Sequence, residues 1–126
     1  RRRVMIVDDD PDALALMEKI LTDEGFELIK VSNATEVGLK AAQLSPDLIL
    51  LDFLMPEING FEVCKALREN ELTRGTPIMA VTCLSKEQDI ERIFSCGADE
   101  YLAKPFKVDQ MLEKVRELLG RGRIVE

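Results

Sequence analysis

Short, unbroken apolar runs recur along the chain, and each is followed by a polar residue. The runs at 4–7, 48–51 and 78–81 contain apolar residues alone, which is typical of strands buried on both faces of a parallel sheet. Two further strand-like runs, 26–31 and 100–103, carry charged residues, as strands at the edge of a sheet often do. The pattern therefore predicts central strands from the first group and edge strands from the second.

Between the strands, apolar residues recur at spacings of three and four, which predicts amphipathic helices. Asp10 and Pro11 mark the start of the first helix, since Asp is a preferred N-cap and Pro suits the first turn. Asn33 and Glu36 resemble a capping box at the start of the second helix. The residues predicted to face the core from the helices are Leu14, Met17, Leu21, Val37, Ala41, Leu44, Phe61, Cys64, Leu67, Ile90, Ile93, Phe94, Val108, Met111, Leu112, Val115, Leu118 and Leu119.

The alternation of strands with helices predicts an α/β fold, a doubly wound (βα)5 sandwich with helices on both faces of a parallel sheet. Because Glu27, Lys30 and Glu100 place the second and fifth strands at the edges, right-handed crossovers favour the strand order 2-1-3-4-5. The direction of that order changes between the first and third strands. Ligands bind at such a point, beyond the carboxyl ends of the strands.

Composition limits the classes of function. The 126 residues, 46% of them hydrophobic, fit one domain, and a net charge of −7 argues against nucleic-acid binding by this domain. No apolar run approaches the roughly 18 residues of a membrane span. The chain has no histidine, and its three cysteines lack metal-ligand spacing, so a zinc site is not expected. Reduced thiols in the cytoplasm are the default, and we predict Cys83 and Cys96 to be small core residues. We expect the domain at 1–120 and a tail or the start of a linker at 121–126.

The predicted strand ends carry chemically useful groups, namely Asp8 and Asp9, Asp52, Thr82 and Lys104. Each alone has an ordinary explanation as a helix cap, a turn residue, a strand end or a surface amine. Together, they converge on one edge of the sheet. Two carboxylates about 5 Å apart repel by roughly 3 kcal/mol at an effective dielectric constant near 20, so three acids there require a cation or raised pKa values. Oxygen ligands favour Mg²⁺, and the set would hold a phosphoryl group with Asp52 as the nucleophile.

With these residues, the sequence resembles the receiver domain of two-component response regulators. The resemblance rests on residues 7–9, on 52–56 with Gly60, on Thr82, and on 104–106. It covers essentially the whole chain, from about Arg3 to Leu119, and is highly specific as a joint pattern. It implies a flavodoxin-like fold and a signalling domain that catalyses only its own Mg²⁺-dependent phosphorylation and dephosphorylation, rather than an enzyme.

The resemblance also implies residue roles. Asp52 would accept a phosphoryl group from the phosphohistidine of a sensor histidine kinase or a histidine phosphotransfer protein. Asp9 and Asp52 would ligate Mg²⁺ together with the backbone carbonyl of Leu54, and Asp8 would act largely through water. Lys104 would pair with the phosphoryl oxygens.

Further roles implied by the resemblance concern the response to phosphorylation. Thr82 would shift toward the phosphoryl group and Tyr101 would rotate inward behind it, which would alter the surface formed by the fourth helix, fifth strand and fifth helix. A homodimer through that surface is compatible with the charge pattern but not demanded by it. The Lys104–Pro105 bond is expected to be cis. The bulk of Leu54 and Leu84 leads us to expect slow self-dephosphorylation.

Three alternatives compete with this interpretation. A flavodoxin-like cofactor binder needs a phosphate loop after the first strand, where Asp8, Asp9 and Asp10 would repel a phosphate. A phosphatase of the haloacid dehalogenase type carries the motif Asp-x-Asp, in which the second Asp is the general acid. Here Phe53 and Leu54 follow the candidate nucleophile Asp52, so that general acid is missing. A degenerate receiver that acts only as a protein-interaction module is the most serious rival, and the presence of every pocket group argues against it.

Overall fold

The computed structural model describes residues 1–56 and 59–121, so most of the segment 121–126, expected to be a tail or linker, lies outside the described residues. Within these residues, five strands and five helices alternate. The strands are β1 Arg3–Val7, β2 Glu27–Val31, β3 Leu48–Leu51, β4 Ile78–Thr82 and β5 Glu100–Ala103. The helices are α1 Pro11–Asp23, α2 Val37–Leu44, α3 Gly60–Glu69, α4 Glu87–Ser95 and α5 Val108–Arg121, and a 3₁₀ turn, Ala34–Glu36, precedes α2. In the part of the chain so described, no helix has both the length and the hydrophobicity that crossing a membrane requires.

The five strands form one parallel sheet in the order β2-β1-β3-β4-β5, which confirms the predicted topology. The strands built on unbroken apolar runs, β1, β3 and β4, are central, and β2 and β5, predicted from the runs with charged residues, are at the edges. Val7 of β1 is in register with Leu51 of β3, and Thr82 of β4 with Ala103 of β5. Leu51 pairs with Ala80, so β4 continues two residues beyond the end of β3. Because all five strands are parallel, the residues that follow them lie along one edge of the sheet.

Apolar side chains of the strands alternate between two hydrophobic clusters, one on each face of the sheet. On β3, Leu48 and Leu50 belong to the cluster that α1 and α5 cover, with residues such as Met17 and Val115. Ile49 and its alternating neighbours on the sheet belong to the other cluster, which α2, α3 and α4 cover. Burial on both faces explains why the central strands are continuous apolar runs.

Local side-chain contacts set several helix boundaries. The carboxylate of Asp10 accepts a hydrogen bond from the backbone N–H of Asp12 at 3.0 Å and caps α1, as predicted. The Asn33 side chain also caps, accepting from the N–H of Thr35 at 3.0 Å, but the element that it starts is the 3₁₀ turn before α2. Gly97 ends α4 with a φ of 112°, which a residue with a Cβ rarely adopts.

Three helical residues predicted to face the core are instead exposed: Leu44 is 38% exposed, Phe94 43% and Val108 48%. Leu44 is the last residue of α2 and Val108 the first of α5, and helix ends extend past the sheet that would cover them. Phe94 is on α4, which packs against the edge strand β5, so that only a narrow stripe around Ile93 is buried. Periodicity identifies the inward side of a helix but not how far the sheet extends beneath it.

The prediction that Cys83 and Cys96 are core residues is wrong for Cys83, which is exposed, while Cys96 is half-buried. Cys83 follows directly after β4 and is therefore beyond the sheet, beside the fully buried Thr82. Cys96 caps the end of α4, and its carbonyl oxygen is 3.5 Å from the Sγ of the buried Cys64. Position relative to the strand end, rather than residue type, decides the burial of these thiols.

Candidate functional site

Two acids and a lysine meet beyond the carboxyl ends of the strands. Asp8 follows β1, Asp52 follows β3 and Lys104 follows β5. The Lys104 ammonium group lies 2.5 Å from Oδ2 of Asp8 and 3.1 Å from Oδ2 of Asp52. Asp8 is fully buried, Asp52 is 6% exposed, and the Lys104 side chain is 16% exposed. One cation therefore links residues from three strands in a pocket largely screened from water.

The backbone fixes the orientation of both carboxylates. The second oxygen of each, Oδ1, accepts a hydrogen bond from the N–H two residues further on: that of Asp10 to Asp8 at 3.0 Å, and that of Leu54 to Asp52 at 2.9 Å. Asp52 itself is attached to the neighbouring strand, since its N–H donates to the carbonyl of Val7 at 3.0 Å. Both carboxylates are therefore held in tight turns, with Oδ2 directed to the lysine.

The electrostatics of the pocket reflect its burial. Desolvation raises the pKa of Asp8, although the hydrogen bond from Lys104 acts in the opposite direction. Burial alone would lower the pKa of Lys104, but its hydrogen bond to Asp8 and the charge of Asp52 outweigh this effect, so that the pKa is raised. At neutral pH the lysine is consequently a cation, while Asp8 holds a proton more readily than an ordinary aspartate.

Asp9 completes a group of three acids. Asp8, Asp9 and Asp52 each offer one carboxylate oxygen, and these three atoms lie within 4.8 Å of one another. Asp9 is exposed, whereas the other two are buried, so the group opens to solvent on one side. A cluster of hard oxygen ligands from two adjacent strands, open to water, suits Mg²⁺, which retains part of its hydration shell. These residues thus fit the metal that the resemblance implies.

Thr82 and Tyr101 both contact the backbone of Leu84. Thr82 is fully buried at the end of β4, and its hydroxyl accepts a hydrogen bond from the N–H of Leu84 at 3.4 Å. The hydroxyl of the half-buried Tyr101 donates to the carbonyl of Leu84 at 2.6 Å. Thr82 is also tied to the lysine, because its carbonyl accepts from the N–H of Lys104 at 2.9 Å. The peptide bond between Lys104 and Pro105 is cis.

The sequence alone did not indicate the aromatic support beneath the Asp52 loop. The rings of Phe53 and Phe61 pack edge to face with centroids 5.1 Å apart, and the guanidinium of Arg92 lies 4.0 Å from the centroid of Phe61. Helical periodicity predicts that Phe61 faces the core. The spacing of residues along the chain does not predict that Arg92 of α4 comes close to the loop after β3. Such contacts depend on how helices are placed in three dimensions.

Fold and site together define a doubly wound, flavodoxin-like α/β domain with an acidic pocket and a lysine at its topological switch point. The family model described as the response regulator receiver domain matches residues 4–116. The chain belongs to this family.

Known relatives agree with this assignment. The chain is 41% identical over 119 residues to the DNA-binding dual master transcriptional regulator RpaA of Synechocystis sp., a match that covers 94% of this chain and 49% of RpaA. It thus spans about half the length of the curated relatives that it matches, such as RpaA and the DNA-binding response regulator MtrA of Mycolicibacterium smegmatis.

Solved structures with the same fold include two receiver domains. One is a CheY-like response regulator receiver domain protein from Methanospirillum hungatei, with a TM-score of 0.88, 30% identity and 94% of each chain covered. The other is the receiver domain of the sensor histidine kinase PA1611 from Pseudomonas aeruginosa, with a TM-score of 0.88 and 27% identity over 94% of this chain and 98% of that one. The latter structure has a magnesium ion coordinated in its active-site cleft.

Proposed function

We propose that this domain is a phosphoacceptor in a two-component phosphorelay, in which Asp52 accepts a phosphoryl group from the phosphohistidine of a sensor histidine kinase or a histidine phosphotransfer protein. The observation that carries the proposal is the position of the Lys104 ammonium group, within 3.1 Å of Oδ2 of Asp52 and 2.5 Å of Oδ2 of Asp8. The fixed cation is close to the oxygens of any phosphoryl group bound to Asp52. The proposal includes a cytoplasmic location, where the kinase or phosphotransfer partner would donate the phosphoryl group.

The proposed reaction is an exchange of one phosphorus bond for another. A carboxylate oxygen of Asp52 attacks phosphorus, the P–N bond to the donor imidazole breaks, and its electron pair stays on the imidazole nitrogen. The product is an acyl phosphate on Asp52. Lys104 stabilises the negative charge on the phosphoryl oxygens, and its raised pKa keeps it protonated for this purpose. The Thr82 hydroxyl can donate a hydrogen bond to the same oxygens after leaving the Leu84 N–H.

Mg²⁺ is the cofactor that the acids suit best. Asp8, Asp9 and Asp52, with the backbone carbonyl of Leu54, would hold the ion, which supplies positive charge beside the transferred phosphoryl group. The chain's own residues orient the reactants: the Leu54 N–H and the Lys104 ammonium each hold one oxygen of Asp52. The acceptor is thereby oriented before the donor arrives.

The contacts of Leu84 support a switch. Thr82 binds its N–H and Tyr101 its carbonyl, so a movement of Thr82 toward a phosphoryl group changes the environment of the Tyr101 hydroxyl. This change would alter the α4–β5–α5 surface, through which kinases, effectors or a second copy of the chain could bind. The shift between states is limited by how much better one state stabilises the phosphoryl group.

Incubation with a small acyl phosphate donor and Mg²⁺ tests the proposal. We expect one phosphoryl group per chain by intact-protein mass spectrometry, and none in Asp52→Asn. Asp109→Asn, which changes an exposed aspartate in the first turn of α5, is the matched control and should react like the wild type. Unmodified wild-type protein would instead favour a degenerate receiver that serves only as an interaction module, and turnover of many phosphomonoesters would favour a phosphatase.

A further inference from the structure

The N-terminus of α3 touches the backbone that carries the acceptor. A Cβ built on Gly60, the first residue of α3, would lie 2.4 Å from Cα of Phe53, 3.0 Å from the carbonyl oxygen of Asp52 and 3.1 Å from the carbonyl carbon of Phe53. All three neighbours are backbone atoms, which cannot rotate away as a flexible side chain could. Ordinary van der Waals contact starts near 3.4 Å, so any side chain here requires a shift of about 1 Å.

We propose that Gly60 is a positioning residue for phosphoryl transfer, because its lack of a side chain lets α3 pack directly on the Asp52–Phe53 backbone and fixes the acceptor carboxylate. The inference rests on the proposed function of Asp52. It assigns to a helix terminus outside the pocket a role in setting the pocket's geometry.

Several contacts hold α3 in this position. The Asn59 side chain caps the helix by accepting from the N–H of Phe61 at 2.8 Å. The rings of Phe61 and Phe53, both buried, pack against each other. The guanidinium group of Arg92 on α4 lies over the Phe61 ring, 4.0 Å from its centroid. Since α3 is held at its cap and at its first aromatic residue, it cannot slide away from an added Cβ without breaking these contacts.

A displacement of Phe53 would reach the acceptor through one peptide unit. The next residue, Leu54, donates the N–H that holds Oδ1 of Asp52 at 2.9 Å, and its carbonyl is an expected metal ligand. The other oxygen, Oδ2, stays with Lys104 at 3.1 Å, and Lys104 follows β5, which contributes none of the three atoms nearest to a Cβ built on Gly60. A shift of the loop therefore rotates Asp52 relative to the lysine, and an error of about 1 Å in such an arrangement can slow a reaction about 100-fold.

Gly60→Ala tests the inference beside Gly38→Ala, a helical glycine in α2 with no neighbouring atom within 4 Å of the added Cβ. In folded Gly60→Ala, we expect phosphorylation of Asp52 to slow about 100-fold and the Mg²⁺ dissociation constant from calorimetry to rise about 10-fold. The Leu54 amide resonance should move in metal-free protein. The Gly38→Ala variant should match the wild type in all three measurements.

A folded Gly60→Ala with wild-type Mg²⁺ affinity, phosphorylation rate and Leu54 resonance would overturn the inference, whatever its thermal stability. If the wild type itself is not phosphorylated, the proposed function fails, and the Leu54 resonance and metal affinity still decide the role of Gly60. Should Gly60→Ala not fold, Phe61→Leu removes the aromatic contact to Phe53 without adding an atom. It should then displace the Leu54 resonance in the metal-free protein, and an unchanged resonance would count against the inference.

Discussion

Replacing Lys104 by Met removes the ammonium group that pairs with two buried acids while keeping an apolar chain of similar length. The ammonium group lies 2.5 Å from Asp8 and 3.1 Å from Asp52. Without it, Asp8, which is fully buried, keeps a single hydrogen bond from the Asp10 N–H among those described. We predict that Lys104→Met destabilises the metal-free protein at neutral pH and that acid relieves much of the loss.

The size of the stability loss depends on whether the buried Asp8 stays charged or binds a proton. Removing one partner of a buried ion pair costs about 3–5 kcal/mol. Asp8 can instead bind a proton, and relative to its ordinary pKa of 3.8 this costs about 4.4 kcal/mol at pH 7 but only about 1.6 kcal/mol at pH 5. Because its pKa is raised in the folded state, the contribution of Asp8 to stability falls as pH rises above 3.8, and the variant extends that fall to higher pH.

Urea unfolding at pH 5 and pH 7 in EDTA measures the effect. We expect a loss in the free energy of unfolding of about 3–4 kcal/mol at pH 7, and less than about 2 kcal/mol at pH 5. Lys114→Met is the matched control, since Lys114 pairs with Glu100 at 3.1 Å where both side chains are partly exposed. Its loss should be about 1 kcal/mol or less at both pH values.

The double variant Lys104→Met/Asp8→Asn separates the charge from the packing of the lysine. It should recover part of the stability lost at pH 7, because the fully buried carboxylate of Asp8 is removed, whereas that of Asp52 is still left without its lysine. An equal loss at pH 5 and pH 7, or a double variant no more stable than the single one, would refute the reasoning about this pocket.

Three further predictions concern other parts of the molecule. Leu54→Asn should shorten the lifetime of the acyl phosphate, and loss within seconds in the wild type, unchanged by the variant, would contradict this. Calorimetry should show weaker Mg²⁺ binding at pH 5 than at pH 7, because burial raises the pKa of Asp8 and its proton competes with the metal; equal affinity would count against it. Arg68→Leu should lower the free energy of unfolding by about 3 kcal/mol, since Arg68 pairs with the largely buried Asp99 at 2.8 Å; a change below 1 kcal/mol would refute this.

The strand order could be predicted because its determinants are local in the sequence. Glu27, Lys30 and Glu100 mark two strands as edges, and the apolar runs mark the others as central. Burial of helix ends could not be predicted in the same way. Leu44 and Val108 continue the apolar period of their helices but extend beyond the sheet, and periodicity does not record where the sheet ends.

The convergence of the pocket residues also followed from the sequence, since parallel strands bring their carboxyl ends together. The contacts within it did not. That one amine reaches both Asp8 and Asp52 and that Thr82 and Tyr101 meet at Leu84 depend on side-chain conformations across four strands. The motif included Gly60 as a residue type, but its contact with Phe53 depends on the placement of α3.

In the proposed function, the carboxylate of Asp52 forms the acyl phosphate. Tandem mass spectrometry of peptides from protein incubated with an acyl phosphate donor tests it most directly. We predict a phosphoryl group on the peptide containing Asp52, present with Mg²⁺ and absent when EDTA removes the metal before the donor is added. Modification of any other residue, or none in folded protein at saturating Mg²⁺, would contradict it.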